Sequence, residues 1–348
     1  TDCPALPGCE VNTMEMMEAI KEYVAWGPYR EALKLPERVT EQYEPLGQGE
    51  YNRNFQFVHP VTGKRLVLRV NCGSQMYLEN QIQYEYDTLK LLEGSGRTPR
   101  PFYVDGSMKK MDHGILVMEF LPGRELDYRS ELSRAASCLA DIHSVRVGEH
   151  THLLRPEDPL KAILEECESM VKVYLDSDLG QEQMKKRLRS MLDLGWERWT
   201  ECDGKSGYEC CINTELNSTN FLSDESAGSC YLVDWEKPLY GEPAQDLGHF
   251  LAPTTTFWKT DVILEQKEME EFLDSYFQAV DGRFEMEGIR ERTYAYIPIT
   301  CLRGVTWCAM AWVEYQNPRL LYNPSTYKKL GEYLNEKFLD KIEELLRK

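Results

Sequence analysis

The period of apolar and polar positions changes about a third of the way along the chain. Up to residue 121 short alternating runs dominate, which is the mark of half-buried strands; beyond it apolar residues recur every three to four positions, as on amphipathic helices. Met16, Ile20 and Val24 lie at helical spacing over 12–26, with Asn12 and Glu15 placed as an N-cap pair and Gly27-Pro28 as a stop. Segments 43–46, 54–58 and 65–70 then read as strands, the last two joined by a Pro60-Val61-Thr62-Gly63 turn. A helix over 79–92 stops at Gly94, and Pro99 and Pro101 mark a connection to two more strands at 102–104 and 115–120. The first part therefore reads as five strands with one helix inserted after the third.

After Pro122-Gly123, segments 132–143, 159–175 and 181–199 carry the 3.6-residue spacing of helices, two short strands flank 212–222, and 265 to the end is again mainly helical. The expected architecture is α+β in two lobes. Residues 1–121 form an N-lobe with a helical extension, a five-stranded antiparallel sheet and one inserted helix. Residues 122–348 form a mainly helical C-lobe holding the catalytic loop and a substrate site. No internal repeat or low-complexity tract interrupts either part.

At 348 residues the chain has length for a core in each lobe. The formal net charge of −18 argues against nucleic acid or an anionic membrane as partner and is compatible with a cationic small molecule. No apolar run approaches the ~20 residues of a membrane span, and no basic-then-apolar leader opens the chain. Eleven cysteines, scattered without a C-x-x-C pair, read as reduced thiols in a cytoplasmic protein. Cys210-Cys211 has no His or Cys partner at metal-ligand spacing.

The chemistry concentrates in the run Ile212-Asn213-Thr214-Glu215-Leu216-Asn217-Ser218-Thr219-Asn220 and in Asp234, which ends the apolar segment 231–233. An acid, an Asn five positions on and a later Asp make the layout of a phosphoryl-transfer centre. Glu215 can accept the proton of an attacking hydroxyl, while the Asn220 amide oxygen and the Asp234 carboxylate are hard ligands suited to Mg²⁺ on ATP phosphates. Gly47 and Gly49, in a turn between two strands that ends at Asn52, allow backbone N–H groups close to phosphate oxygens. This turn precedes no helix, which speaks against a dinucleotide-binding fold. Arg69 alternates with core residues of the third strand and so faces the same cleft, where its fork can pair with phosphates; Glu85 on the next helix is its natural anchor. The strand 115–120 followed by Leu121-Pro122-Gly123 reads as a central strand feeding a hinge, with an adenine hydrogen-bonded to backbone around Glu119 and Leu121.

Four other features leave two readings each. Asp246 either caps a helix or braces the backbone of the catalytic run. Glu236 either joins the metal ligands or lies on the surface. His143 and His249 sit inside helical apolar patterns and read as structural rather than as bases. Aromatic residues of the last third, such as Trp258, Tyr276, Tyr296 and Trp307, read as core, or with Asp261 and Glu314 as a cage for a cation. Neither a nucleophile elbow nor an H-E-x-x-H occurs, which weakens hydrolase readings.

Taken together, residues 47–246 resemble the aminoglycoside phosphotransferase and choline kinase-like family, which has the protein-kinase fold. The resemblance implies a bilobal kinase-like enzyme using ATP (or GTP) and Mg²⁺ to phosphorylate a hydroxyl of a small molecule. It places Glu215 as catalytic base, Asn220 and Asp234 on the metal, Arg69 on the phosphates and Glu85 as its partner. Two positions depart from the family pattern: Glu215 stands for Asp and Asn213 for His. One extra methylene extends the carboxylate by about 1.5 Å, and misplacement of about 1 Å can cost roughly 10²-fold in rate. A pseudokinase, binding a nucleotide or partner without transfer, is therefore the alternative. No Ala-Pro-Glu signature or peptide platform follows Asp234, which counts against a protein kinase.

Overall fold

The computed structural model describes residues 13–48, 51–74, 76, 78–202, 207–316 and 324–348. Two helices, α1 (Thr13–Val24) and α2 (Gly27–Ala32), come first. Gly27-Pro28 does not simply end α1. Pro28 lies in the first turn of α2, where its missing N–H and fixed φ suit a helix start. Asn12, the expected cap, falls outside the described residues.

Strands β1 (Glu44–Gln48), β2 (Asn52–Val58) and β3 (Arg65–Asn71) follow, then α3 (Gln81–Leu92), β4 (Pro101–Asp105) and β5 (Gly114–Glu119). They form a five-stranded antiparallel sheet in the order β1-β2-β3-β5-β4. The strand alternation is used on both faces, because both are covered. Leu66, Leu68, Val70, Ile115 and Val117 pack with Met16, Ile20 and Tyr29 of α1 and α2, while Val67, Leu116 and Met118 join the core that contains Ile82 and Leu89 of α3. Arg69 shares the α3 face with Val67, two residues before it. This parity places a guanidinium rather than a methyl group in the space between sheet and helix.

The C-lobe continues with β6 (Arg124–Glu125), α4 (Leu132–His143), α5 (Pro159–Asp176), α6 (Glu182–Glu201), β7 (Cys210–Ile212), β8 (Phe221–Asp224), β9 (Ser229–Leu232) and β10 (Leu239–Gly241). It ends with α7 (Pro243–Leu251), α8 (Pro253–Lys259), α9 (Gln266–Val280), α10 (Ile289–Tyr315), α11 (Pro324–Tyr333) and α12 (Glu336–Arg347). Two small antiparallel sheets, β10-β7 and β6-β8-β9, frame the segment that carries Glu215 and Asn220. The 27-residue α10 runs through the lobe with Ile297, Cys301, Leu302, Val305 and Cys308 buried, against α5 and α7. Nine cysteines are described, all as free thiols, and seven of them are buried. They serve as small apolar side chains. Among the described residues, no helix is long and apolar enough to cross a membrane.

Candidate active site

The crevice between the lobes begins at Arg69. Only 5 % exposed, it donates through Nη1 to Glu85 Oε1 on α3, through Nε to Asn54 Oδ1 at 3.0 Å, and through Nη1 to Asp234 Oδ1 at 3.3 Å. Burial works against the charged guanidinium, but the charges of Glu85 and then Asp234 outweigh it and hold the cation more firmly than usual. One side chain thus ties strand, helix and the loop beyond β9. Two further α3 side chains reach the same loop, Gln81 Nε2 to Glu236 O at 2.8 Å and Tyr84 Oη to Pro238 O at 2.7 Å.

The run after β7 is fixed mainly by hydrogen bonds to its own backbone. Thr214 has φ +70° and Asp234 φ +66°, a left-handed conformation that non-glycine residues hold only where surroundings impose it. At Thr214 that hold comes from Asp246, buried in the first turn of α7, whose two carboxylate oxygens accept Asn213 N–H and Thr214 N–H, both at 2.8 Å. It is not the N-cap, a position held by Glu242. Of the two readings of Asp246, the loop brace is the one the structure shows. His143 of α4 reaches the same carboxylate at 3.2 Å and Tyr276 Oη at 2.9 Å, so it is a structural side chain in the core. His249 Nδ1 accepts Leu216 N–H at 3.2 Å, and burial first, then Arg303, lowers its pKa to about 3. It is neutral across the working range.

Asn213, standing where the family has His, donates its amide to Asp234 O at 2.9 Å and accepts Glu215 N–H at 3.0 Å. It couples the two acid-bearing segments with one planar group. Asn220 closes the same loop by donating Nδ2 to Glu215 O at 2.8 Å, and its own carbonyl accepts Val233 N–H at 2.9 Å. With the amide nitrogen so engaged, Oδ1 is the atom of Asn220 left for ligation.

Carboxylate oxygens of Glu215, Asp234 and Glu236 lie within 4.8 Å of one another. Such crowding of like charges raises carboxyl pKa values. Burial and then the Asp234 charge push Glu236 up to about 8. Glu215 is raised too, by burial first, with Lys237 opposing. A divalent cation held by Asp234 and Glu236 would relieve this repulsion, since carboxylate oxygens are hard ligands that suit Mg²⁺. Glu236 is the residue that sequence reasoning left undecided; its only signal was the Asp-x-Glu spacing. Asn52 Nδ2 donates to Glu236 Oε2, and Asn52 Oδ1 accepts Asn71 Nδ2 at 2.9 Å, so the start of β2 is tied to the acids. Gly47 lies in β1 opposite Asn54, whereas Gly49 falls outside the described residues. At the far end of the sheet Glu119 closes β5, its N–H donating to Arg100 O at 2.8 Å. Leu121 follows half-buried, and among the described residues no backbone hydrogen bond engages it.

Of the residues considered for an aromatic cation cage, Tyr276, Tyr296 and Asp261 are engaged elsewhere, while Trp258 and Trp307 pack edge to face at 5.3 Å. Tyr276 and Tyr296 are buried against His143 and Glu242, and Asp261 is an exposed side chain paired with Lys329. Instead, Lys237 Nζ lies 3.8 Å from Glu215, and Arg303 of α10 pairs through Nε and Nη2 with Glu166 of α5 at 2.7 and 3.0 Å. Neither cation carried a sequence signal, since their partners lie far away along the chain.

A five-stranded sheet with one inserted helix, a helical second lobe and acids at their junction define the protein-kinase-like fold. The chain belongs to the phosphotransferase enzyme family, whose pattern matches residues 42–291. Solved structures share the fold at low identity. A choline kinase from Cryptosporidium parvum Iowa II is 12 % identical, with 94 % of this chain and 96 % of that one covered and a TM-score of 0.65. The Plasmodium vivax ethanolamine kinase is 14 % identical, with 97 % of each chain covered and a TM-score of 0.63. A spectinomycin phosphotransferase in complex with ADP and spectinomycin is 13 % identical, covering 89 % of this chain and 93 % of that one, with a TM-score of 0.61. No curated protein matches the chain significantly.

Proposed function

We propose that the protein transfers the γ-phosphoryl group of ATP to a hydroxyl of a small molecule. The observation that carries this reading is the gathering of Glu215, Asp234 and Glu236 within 4.8 Å, with Arg69 bonded to Asp234 at its edge. Asp234, Glu236 and the Asn220 amide oxygen would hold Mg²⁺, which when bound offsets the charge of the transferring phosphates. Arg69 and the backbone of the turn between Gly47 and Asn52 orient the phosphates, and the adenine lies along the segment from Glu119 to Leu121. Glu85 holds Arg69 in place.

Glu215 accepts the acceptor's proton as its oxygen bonds to the γ-phosphorus, while the bond to the β–γ bridging oxygen breaks and ADP leaves. Burial raises the Glu215 carboxyl, with Lys237 opposing, which makes its carboxylate a stronger proton acceptor than a free one. The Glu215 carboxylate lies within 4.8 Å of the other two acids, and its backbone N–H is held by Asn213. This supports transfer over a binding-only module. Asp234→Ala is expected to abolish Mg-dependent ATP turnover, and Glu215→Gln to lose transfer while keeping nucleotide binding. Calorimetric titration and a coupled ADP assay with pooled hydroxylated metabolites measure both. Turnover by Asp234→Ala overturns the metal assignment, and full activity of Glu215→Gln overturns the base.

A further inference from the structure

Lys237 forms an ion pair with Glu215, and the transfer reaction assigns it no task. Its carbonyl accepts Thr214 Oγ1 at 2.9 Å, which fixes its backbone against the catalytic loop. Its side chain is only 16 % exposed, and Nζ lies 3.8 Å from Glu215 Oε1, an ion pair without a hydrogen bond. Among the described residues, this ammonium has no hydrogen-bond acceptor. The other cation nearby is matched internally, because Arg303 gives Nε and Nη2 to Glu166. Lys237 feels Arg303, Glu215, Glu166 and Glu236, groups from α10, the catalytic loop, α5 and its own segment.

The two cations of the crevice therefore stand at opposite ends of the acid cluster. Arg69 contacts Asp234, on the side of the five-stranded sheet, while Lys237 pairs with Glu215, in the field of Glu166 of α5 and Arg303 of α10. Phosphates of a nucleotide are served at the first end. At the second end the Lys237 ammonium, on a side chain 16 % exposed, has Glu215 at 3.8 Å and no acceptor within hydrogen-bond distance among the described residues, so its N–H donors are available to a bound group. Oxygens of an anion are what satisfy such a group. We propose that Lys237 binds an acidic group, carboxylate or phosphate, carried by the acceptor, so that the molecule phosphorylated is a hydroxylated acid rather than an amine. This inference rests on Glu215 marking the acceptor side.

The test uses full-length protein saturated with Mg²⁺ and a non-hydrolysable ATP analogue, which closes the nucleotide site to free phosphates. Calorimetric binding is measured for hydroxy acids (glycerate, malate), glycerol 3-phosphate, the neutral polyols glycerol and inositol, and the amines ethanolamine and choline. Binding is expected among the acids, weakened about tenfold or more in Lys237→Met and retained in Lys237→Arg, with analogue affinity changed less than about twofold in both. Carboxylates and phosphate esters binding differently tells which acidic group is read. Binding of amines alone, of no acid, or of acids undiminished by Lys237→Met overturns the proposal. Weakened analogue binding in a folded Lys237→Met overturns it as well, by assigning Lys237 to the nucleotide phosphates. Failure of the wild type to bind the analogue is a separate result, which removes the kinase reading itself.

Discussion

At the scale of single residues, Arg69 shows how one buried charge ties together a strand, a helix and a distant loop. It is 5 % exposed and its partner Glu85 is 1 % exposed, so removing either leaves the other ion without water. Breaking such a pair by one partner costs about 3–5 kcal/mol, whereas replacing both by apolar groups costs far less. Arg69→Met is accordingly expected to lower unfolding free energy by that amount in urea titrations, and the double variant Arg69→Met/Glu85→Met to recover most of it while remaining unable to turn over ATP. His249 makes a second prediction, in pH. Its folded pKa of about 3 lies below the ordinary 6.5, so the unfolded chain takes up a proton that the folded protein refuses. The stabilisation is present above pH 6.5 and is lost as pH falls toward 3, by up to about 4–5 kcal/mol for this depression. His249→Asn keeps an acceptor for Leu216 N–H and removes the titration. Urea midpoints between pH 7 and 4.5 are expected to fall less steeply in that variant than in the wild type.

Among elements, the placement of α7 against α10 carries the site. Asp246 can reach the catalytic loop only because α7 lies close under it. That closeness depends on Gly248, where an added Cβ would come within 2.5 Å of Tyr296 Cβ and 3.1 Å of Thr293 O. Backbone and Cβ cannot rotate aside. Gly248→Ala is expected to cost about 1–3 kcal/mol through overpacking, and to lower kcat as well, because α7 shifts with Asp246 attached. Unfolding titrations and steady-state rates on the same preparation check both effects. The Gly27-Pro28 pair teaches a related lesson about elements. Read along the chain it marks an end, yet Pro is as well suited to a first helical turn, and the packing of Tyr29 against Tyr23 and Tyr103 decides for a new helix.

At the scale of the whole molecule, the crevice is stitched by polar contacts between distant segments. Asn52 bonds Glu236, Arg69 bonds Asp234, and α3 bonds the 236–238 loop through Gln81 and Tyr84. If a Mg-nucleotide binds across these segments as proposed, it would stabilise the folded state by mass action, about 2.7 kcal/mol at a hundredfold excess over Kd. Thermal unfolding is expected to move up with Mg-ATP and to return toward the apo value on adding EDTA, because the crowded acids depend on the cation. No such rise with Mg-ATP would count against an interlobe nucleotide site.

The elements and their order were legible in the sequence because periodicity records which face of a segment is buried, and that information is local. The alternation of β3 already put Arg69 on the α3 face, and the spacing of Glu215, Asn220 and Asp234 already marked one loop and one strand end. What the local pattern cannot encode is which side chain lies opposite across 184 residues, the separation of Asn52 and Glu236. The recruitment of Glu236 to the acids, the bracing by Asp246 and the position of Lys237 beside Glu215 were decided by tertiary packing. There a carboxylate becomes a ligand, a brace or a surface group according to the charges and donors that the fold brings within a few ångströms.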